Sequence, residues 1–304
     1  MLQTQDYREG KVALRVVVFK ILAKAGLNSF RASASNEKNV VSWSSRIGDN
    51  FPGKEVRGSL RIVSVGIDHY MGALPRLNLA SADAKSVVQA LAQPSDAFGM
   101  VLPTALLDEG ATKEKIVDAI ARAGAESQPE DTLIIYLAGH GIALNDNEWF
   151  FAPQDVKTES EQALRDSAIS ASQIQQLLTS ANARKIVLAI DSCQSALAAR
   201  PFITQRNFYQ RVMSDLSRST GIVVYAATKE NELAQEVSEL KHGIFTFALL
   251  EALSGGARLP DSQTVTAASV ADYLQEKVPL LVHRFKVATQ DTVTFRIGAD
   301  FAVY

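Results

Sequence analysis

Cysteine is nearly absent from this sequence, and its scarcity excludes two kinds of structure. The 304 residues contain a single cysteine, Cys193. One cysteine can form neither an internal disulfide nor a thiolate-rich zinc site. The chain therefore suits a reducing compartment, and it carries a free thiol whose role needs an explanation.

Long apolar segments and blocks of basic residues are also missing. The longest apolar candidate, residues 12–23, contains Arg15 and Lys20, so it falls short of the roughly 18 uninterrupted apolar residues of a membrane-spanning helix. The formal net charge is -2, which argues against a nucleic acid or an anionic membrane as partner. Residues 1–6 lack the pattern of a secretory signal, so we expect a cytoplasmic protein.

The composition is that of a folded protein, with 47% hydrophobic and 21% charged residues. Residues 1–58 differ from the rest, because a β-branched run is followed there by sequence rich in Ser, Asn and Gly. We predict an N-terminal extension or pro-segment at residues 1–58 and one main domain at residues 59–304. Three interpretations of residues 16–19 stay open: a strand added to the main sheet, part of a pro-segment, or the remnant of an upstream domain.

From residue 60 onward, short β-branched runs alternate with segments of helical periodicity. The runs are residues 61–67, 100–107, 133–138, 185–190, 221–227 and 292–297. The helical segments include residues 79–93, 112–125 and 243–253, and Ser170 with Gln173 forms a capping box before another. This alternation predicts an α/β/α sandwich: a mostly parallel sheet of about six strands, with about five helices on its two faces.

Residues with side chains suited to catalysis follow the ends of three of these runs. His140 follows residues 133–138, Cys193 follows residues 185–190, and Asp68 follows residues 61–67. The carboxyl ends of parallel strands meet at one edge of a sheet, where ligands bind. We therefore expect the three side chains to converge on one cleft.

A thiol beside an imidazole is a nucleophile for carbonyl chemistry. Only the thiolate attacks, and a histidine or a helix N-terminus favours it. We expect residues 194–199 to open a helix after Cys193, and His140 to protonate the leaving amine. The backbone amides of Gly141 and Cys193 are the natural donors for an oxyanion hole. His69, His242 and His283 lack a matching carboxylate or thiol spacing and are assigned to surface or packing positions.

Two motifs resemble those of the caspase and metacaspase superfamily of cysteine peptidases, and bacterial caspase-family proteins in particular. They are residues 137–141, Leu-Ala-Gly-His-Gly, and residues 191–195, Asp-Ser-Cys-Gln-Ser. His140 precedes Cys193 by 53 residues, close to the spacing of about 50 in caspases. Residues 65–70, 107–112, 131–134 and 243–246 agree as well, so the likeness covers about residues 60–300.

The resemblance also implies a substrate preference. Metacaspases carry an aspartate two residues before the cysteine and another early in the first helix, and both line the S1 pocket. Asp191 and Asp83 match these positions. Two carboxylates attract a guanidinium and repel an acidic side chain. We therefore expect an endopeptidase that cleaves proteins or peptides after Arg, then Lys, and not after Asp.

Caspases are cut to mature in the segment after the nucleophile. Arg200 and Arg206 lie in that segment, and an Arg-specific enzyme would use one of them as an autocleavage site. Arg211 and Arg218 are assigned to a short helix.

No metal or cofactor is predicted. Residues 159–166 and 230–239 are acidic, and several metacaspases require calcium, but neither segment has the ligand rhythm of an EF-hand. Calcium activation and self-association, through the edge formed by residues 292–297, stay open. A second function is kept beside the peptidase: a catalytically silent caspase-like module that binds a partner.

Overall fold

The structure is a computed structural model, and it divides the chain into two compact units, Met1–Val56 and Arg57–Tyr304. In the first unit it describes the backbone of six strands. In the second unit it describes residues 57–93, 97–145, 148–193, 195–199, 221–228, 236–258, 264–287 and 289–304.

The described strands of the first unit form antiparallel pairs. They are β1 (Leu2–Glu9) with β2 (Val12–Phe19), β3 (Gly26–Phe30) with β6 (Ile47–Phe51), and β4 (Ser33–Ser35) with β5 (Val41–Trp43). Residues 16–19 therefore belong to a strand that pairs inside this unit. The role of the unit as an extension or pro-segment stays a prediction.

The second unit alternates strands and helices. In chain order they are β7 (Leu60–Gly66), α1 (Ala80–Leu91), β8 (Val101–Leu107), α2 (Lys113–Glu126), β9 (Thr132–Ala138), β10 (Gly141–Asn145), β11 (Glu148–Phe151), α3 (Glu161–Ser167), β12 (Ile169–Ser170), α4 (Ala171–Thr179), β13 (Lys185–Asp191), β14 (Gly221–Ala226), β15 (Glu236–Val237), β16 (His242–Gly243), α5 (Ile244–Glu251), α6 (Ala267–Phe285) and β17 (Val293–Gly298).

Six of these strands form the central sheet, in the order β17-β14-β13-β9-β7-β8. All neighbours are parallel except β17, which is antiparallel to β14. These are the six predicted strands, each within a residue or two of its expected bounds, and the predicted mostly parallel sheet is confirmed. The strand β17 forms one edge, and self-association through it stays a prediction.

Helices cover both faces of the sheet, and β9 shows how the core is divided. Ile134 and Tyr136 pack with α1, α5 and α6 on one face. Leu133 and Ile135 pack with α2 and α4 on the other. Successive side chains of a strand point to opposite faces, so an uninterrupted apolar run such as β9 serves two cores at once.

Several local features differ from the expectations. The acidic segment at residues 159–166 contains α3, whose first turn is capped by the Ser160 hydroxyl. The helix α6 is not foreseen, because Pro279 inside it is a helix-breaking signal. The strands β10, β11 and β12 form a small separate sheet beside the histidine loop. None of the helices in the described part of the chain is both long and apolar enough to cross a bilayer.

Candidate active site

The two motifs leave the central sheet side by side. In the parallel β9–β13 pair, Ala138 lies opposite Asp191, and the amide of Gly139 donates to the carbonyl of Asp191 at 3.3 Å. His140 and Cys193 each follow two residues beyond this matched pair. Since neighbouring strands run about 4.8 Å apart, the register brings both residues to the same place at the carboxyl edge of the sheet.

Gly141 brings the histidine loop into contact with the cysteine loop. A Cβ on Gly141 would lie 2.5 Å from the carbonyl oxygen of Cys193, 2.7 Å from Nε1 of Trp149 and 2.8 Å from Oγ of Ser192. Such distances leave no room for a side chain, so glycine is what allows the two loops to pack this closely.

The half-buried ring of His140 is held by a backbone carbonyl. Its Nε2 atom lies 2.7 Å from the carbonyl oxygen of Pro75. Because a carbonyl only accepts hydrogen bonds, Nε2 carries the proton and donates it. In the neutral ring the lone pair is then on Nδ1, which is left to exchange protons.

Tyr70 contacts the histidine loop through both its ring and its hydroxyl. Its ring lies 5.0 Å from that of His140, tilted by 42°. Its oxygen accepts a hydrogen bond of 2.8 Å from the backbone amide of His140. Burial raises the pKa of Tyr70 far above its ordinary value, and the charges of Asp68 and Asp108, and of Cys193 when it is ionised, act in the same direction. The phenol is therefore neutral at physiological pH.

The turn that carries Tyr70 is fixed by two carboxylates. Asp68, expected at the cleft, accepts from the first two amides of α1 at 2.8 and 3.2 Å and so caps that helix. Asp108 accepts from the amides of Asp68 and His69 at 2.8 and 3.0 Å. Burial would raise the pKa of Asp108, but its hydrogen bonds outweigh burial and lower it. Asp68 thus holds the loop in place and is not free for chemistry.

Cys193 is half-buried, and its surroundings correct one expectation. The helical segment expected after Cys193 is a five-residue 3₁₀ helix at Ser195–Ala199 in the part of this loop that the structure describes. The amides of Ser195 and Ala196 donate to the hydroxyl and carbonyl of Thr228, at 3.1 and 3.0 Å. A turn this short has no useful helix dipole, so stabilising a thiolate falls to other groups.

The amide of Gly141 points away from the small sheet. Gly141 lies opposite Phe151 in the β10–β11 ladder, next to the 3.0 Å bond from the amide of Ala152 to the carbonyl of His140. Bonded and non-bonded pairs alternate along an antiparallel ladder, so Gly141 belongs to a non-bonded pair. Its N–H group is directed outward from β10, which is the edge strand.

The two acidic residues expected in S1 lie around one tyrosine. Asp191 is 9% exposed and Asp83 is 2% exposed. The Asp191 carboxylate accepts a 2.6 Å hydrogen bond from the hydroxyl of Thr246, which lies 2.5 Å from the hydroxyl of Tyr136. Burial raises the pKa of Tyr136, and the charges of Asp191 and Asp83 raise it further. Both carboxylates therefore act on the same phenol.

Asp83 is bound through both oxygens by β16. Its Oδ1 atom lies 2.5 Å from Nδ1 of His242, and its Oδ2 atom accepts from the amide of Gly243 at 3.0 Å. Burial lowers the pKa of His242 and so disfavours a positive charge on the ring beside Asp83. Sequence spacing does not reveal this pair, because the partners are 159 residues apart.

Other expected features lie outside the described residues or lack a test. Arg200 and Arg206 are among the residues that the structure does not describe. Where it does describe the chain, no group of three His, Cys, Asp or Glu side chains could hold a metal ion. The motifs do not predict the contacts that Pro75 and Trp149 make with the histidine loop. Tyr70 had a weak signal, since it ends the caspase-like stretch at residues 65–70.

Comparisons with known proteins agree with this geometry. The caspase domain model matches residues 61–290, more than half of the chain. No curated protein sequence matches significantly. Among solved structures, the crystal structure of protein GSU0716 from Geobacter sulfurreducens is similar in fold, with a TM-score of 0.52 and 19% identity over 80% of this chain and 94% of that chain. The chain therefore belongs to the caspase-domain family of peptidases.

Proposed function

We propose that this protein is a cysteine endopeptidase that cleaves after Arg, then Lys, with Cys193 as nucleophile and His140 as general acid and base. One observation carries the proposal. The β9–β13 register delivers both residues to one edge of the sheet, and Gly141 and the carbonyl of Cys193 are in contact there. A sulfur nucleophile and an imidazole held together by two rigid strands are the minimal apparatus for attack on an amide.

The hydrogen bond to Pro75 supports a separate role for each ring nitrogen of His140. With Nε2–H donated to that carbonyl, Nδ1 takes the proton of the Cys193 thiol. The thiolate attacks the substrate carbonyl carbon and forms the C–S bond, while the carbonyl electron pair moves to oxygen. The amides of Gly141 and Cys193 donate to this oxyanion, and each such donor lowers the barrier by about 2.7 to 4 kcal/mol.

Collapse of the tetrahedral intermediate completes the reaction. The C–N bond breaks, and Nδ1–H of His140 gives its proton to the departing amine. A water molecule then attacks the Cys193 thioester and gives a proton to Nδ1. That proton passes back to sulfur as the carboxylic acid product leaves, so both groups return to their starting states.

The acidic pair supports the proposed preference for a basic P1 residue. Asp191 and Asp83 are almost fully buried, so their charges are weakly screened and favour a cation. Burial of His242 disfavours the imidazolium that would offset this charge. A guanidinium satisfies carboxylates through two parallel N–H bonds, which an ammonium cannot do, so Arg is preferred over Lys.

A panel of peptide amides that differ only in P1 tests the proposal. Hydrolysis after Arg, weaker hydrolysis after Lys and none after Asp is the expected pattern. Each peptide is measured with and without calcium, because the sequence leaves calcium activation open. Hydrolysis only after Asp, or only after apolar residues, would contradict the S1 assignment while leaving the peptidase in place.

Self-processing is expected at Arg200 or Arg206. An Arg-specific enzyme cuts its own chain when an arginine in that segment reaches the cleft. Incubated pure protein is expected to give two fragments, and intact mass spectrometry identifies the bond. Mutation of the cleaved arginine to Ala should leave the chain whole without reducing cleavage of an added peptide.

Arg211→Ala and Arg218→Ala are the matched controls for this experiment. Each removes an arginine from the same segment, and neither change should alter the fragments. Cys193→Ala should abolish them. A chain that stays a single band while it cleaves an added substrate would exclude self-processing.

A further inference from the structure

The Tyr70 hydroxyl has no part in the chemistry proposed above. We propose that Tyr70 is a positioning residue that holds the His140 loop against the Cys193 loop and presents its phenolic proton to the negative charge on sulfur. This inference rests on the proposed function, because the peptidase reaction is what requires that charge.

The first argument comes from the hydrogen bonds of the histidine loop. Two residues that form a hydrogen-bonded antiparallel pair normally exchange both N–H···O bonds. His140 and Ala152 make one of them, from the amide of Ala152 to the carbonyl of His140 at 3.0 Å. The amide of His140 donates instead to the hydroxyl of Tyr70 at 2.8 Å. Tyr70 therefore replaces one rung of the ladder at the residue that carries the imidazole.

The second argument is that Tyr70 is itself rigidly placed. Asp108 binds the two amides that precede it, and the amide of Met71 donates to the carbonyl of Gln154 at 2.9 Å. A Cβ on Gly139 would lie 2.7 Å from the Tyr70 hydroxyl, so glycine at this position permits the close approach. A side chain fixed on both sides can hold a catalytic loop to within a fraction of an ångström.

The third argument concerns the phenolic proton. The Tyr70 oxygen accepts from His140, and no acceptor for its own proton is found among the residues that the structure describes. The charged groups that act on the phenol are Asp68, Asp108 and Cys193. Asp68 and Asp108 are already engaged with backbone amides. The Tyr70 hydroxyl binds the amide of His140, and the next residue, Gly141, packs against the carbonyl of Cys193. The hydroxyl therefore lies near the charge that forms on Cys193 during the reaction, and a neutral O–H dipole there stabilises the thiolate.

Tyr70→Phe removes the hydroxyl and keeps the ring against His140. We expect kcat for Arg-peptide hydrolysis to fall about 10- to 100-fold, because the loop amide loses its acceptor. KM should stay unchanged, because Asp191 and Asp83 are not touched. The rate of Cys193 alkylation by iodoacetamide is measured as a function of pH, and the midpoint of this profile should rise by about half a pH unit or more. A merely structural role would not move this profile.

Tyr225→Phe is the matched control. Its hydroxyl also makes one buried hydrogen bond, to the carbonyl of Ala267 at 2.7 Å, and its removal should leave the alkylation profile unchanged. If Tyr70→Phe unfolds, Tyr70→Gln and Tyr70→Leu are compared, and the amide should restore part of what Leu loses.

A Tyr70→Phe protein that matches the wild type in both kcat and alkylation profile would overturn the inference while the proposed function stands. If no variant hydrolyses peptides, the proposed function fails, and the alkylation profile still decides the role of Tyr70.

Discussion

The Cys193→Ala protein is expected to hydrolyse Arg-peptide amides at least about 10⁴-fold more slowly than the wild type. The physical reason is that alanine offers no atom to form the acyl-enzyme, while every other contact of the site remains. Cys193 is half-buried, so loss of its sulfur should change the free energy of unfolding by no more than about 1 kcal/mol. Initial rates on the peptide panel, together with thermal unfolding, measure both quantities.

Ser192→Ala is the control that keeps the thiol. The hydroxyl of Ser192 is buried and has no hydrogen-bond partner among the described residues, so its removal should leave the rate within about tenfold of the wild type. A Cys193→Ala protein as active as the wild type would show that another group performs the hydrolysis. A wild-type protein that hydrolyses none of the peptides, with or without calcium, would favour the catalytically silent interaction module.

The second large effect is expected from Asp191→Asn. An asparagine oxygen can still accept the hydrogen bond from Thr246, so this contact is kept while the negative charge is lost. We expect kcat/KM for Arg peptides to fall about 10²-fold or more, because the buried carboxylate that pairs with the P1 guanidinium in the proposed function has lost its charge. The loss for peptides with an uncharged P1 residue should be much smaller. The ratio of the two values measures the contribution of the charge to specificity.

Asp118→Asn provides a charge-matched control for Asp191→Asn. Asp118 pairs with Arg122 on the exposed face of α2, where an ion pair has little effect, so neither rates nor specificity should change. Asp83→Asn is less suitable, because both Asp83 oxygens accept from β16 and an amide nitrogen would face one of those donors. Equal losses on charged and uncharged P1 residues would show that Asp191 acts on the fold and not on the substrate.

The central sheet could be predicted from local sequence because its strands are buried on both faces. An uninterrupted run such as residues 133–138 has few alternatives to a buried strand, and the glycines around His140 mark where it ends. The alternation of runs with helical segments then favours parallel strands. The helix α6 could not be predicted in the same way, because Pro279 inside it is a residue that normally ends a helix. That the helical segment after Cys193 is only a short 3₁₀ turn at Ser195–Ala199 could not be predicted either, because its first two amides donate to Thr228, which follows β14.

The sequence by itself determined the order of the strands along the chain and the location of His140 and Cys193 at strand ends. Only the tertiary structure decided which groups surround them. Tyr70 and Pro75 lie 70 and 65 residues from His140, and His242 lies 159 residues from Asp83. Sequence patterns predict contacts between residues that are close along the chain. Contacts between residues this far apart in sequence depend on strand order and register, which the packing of the whole sheet sets.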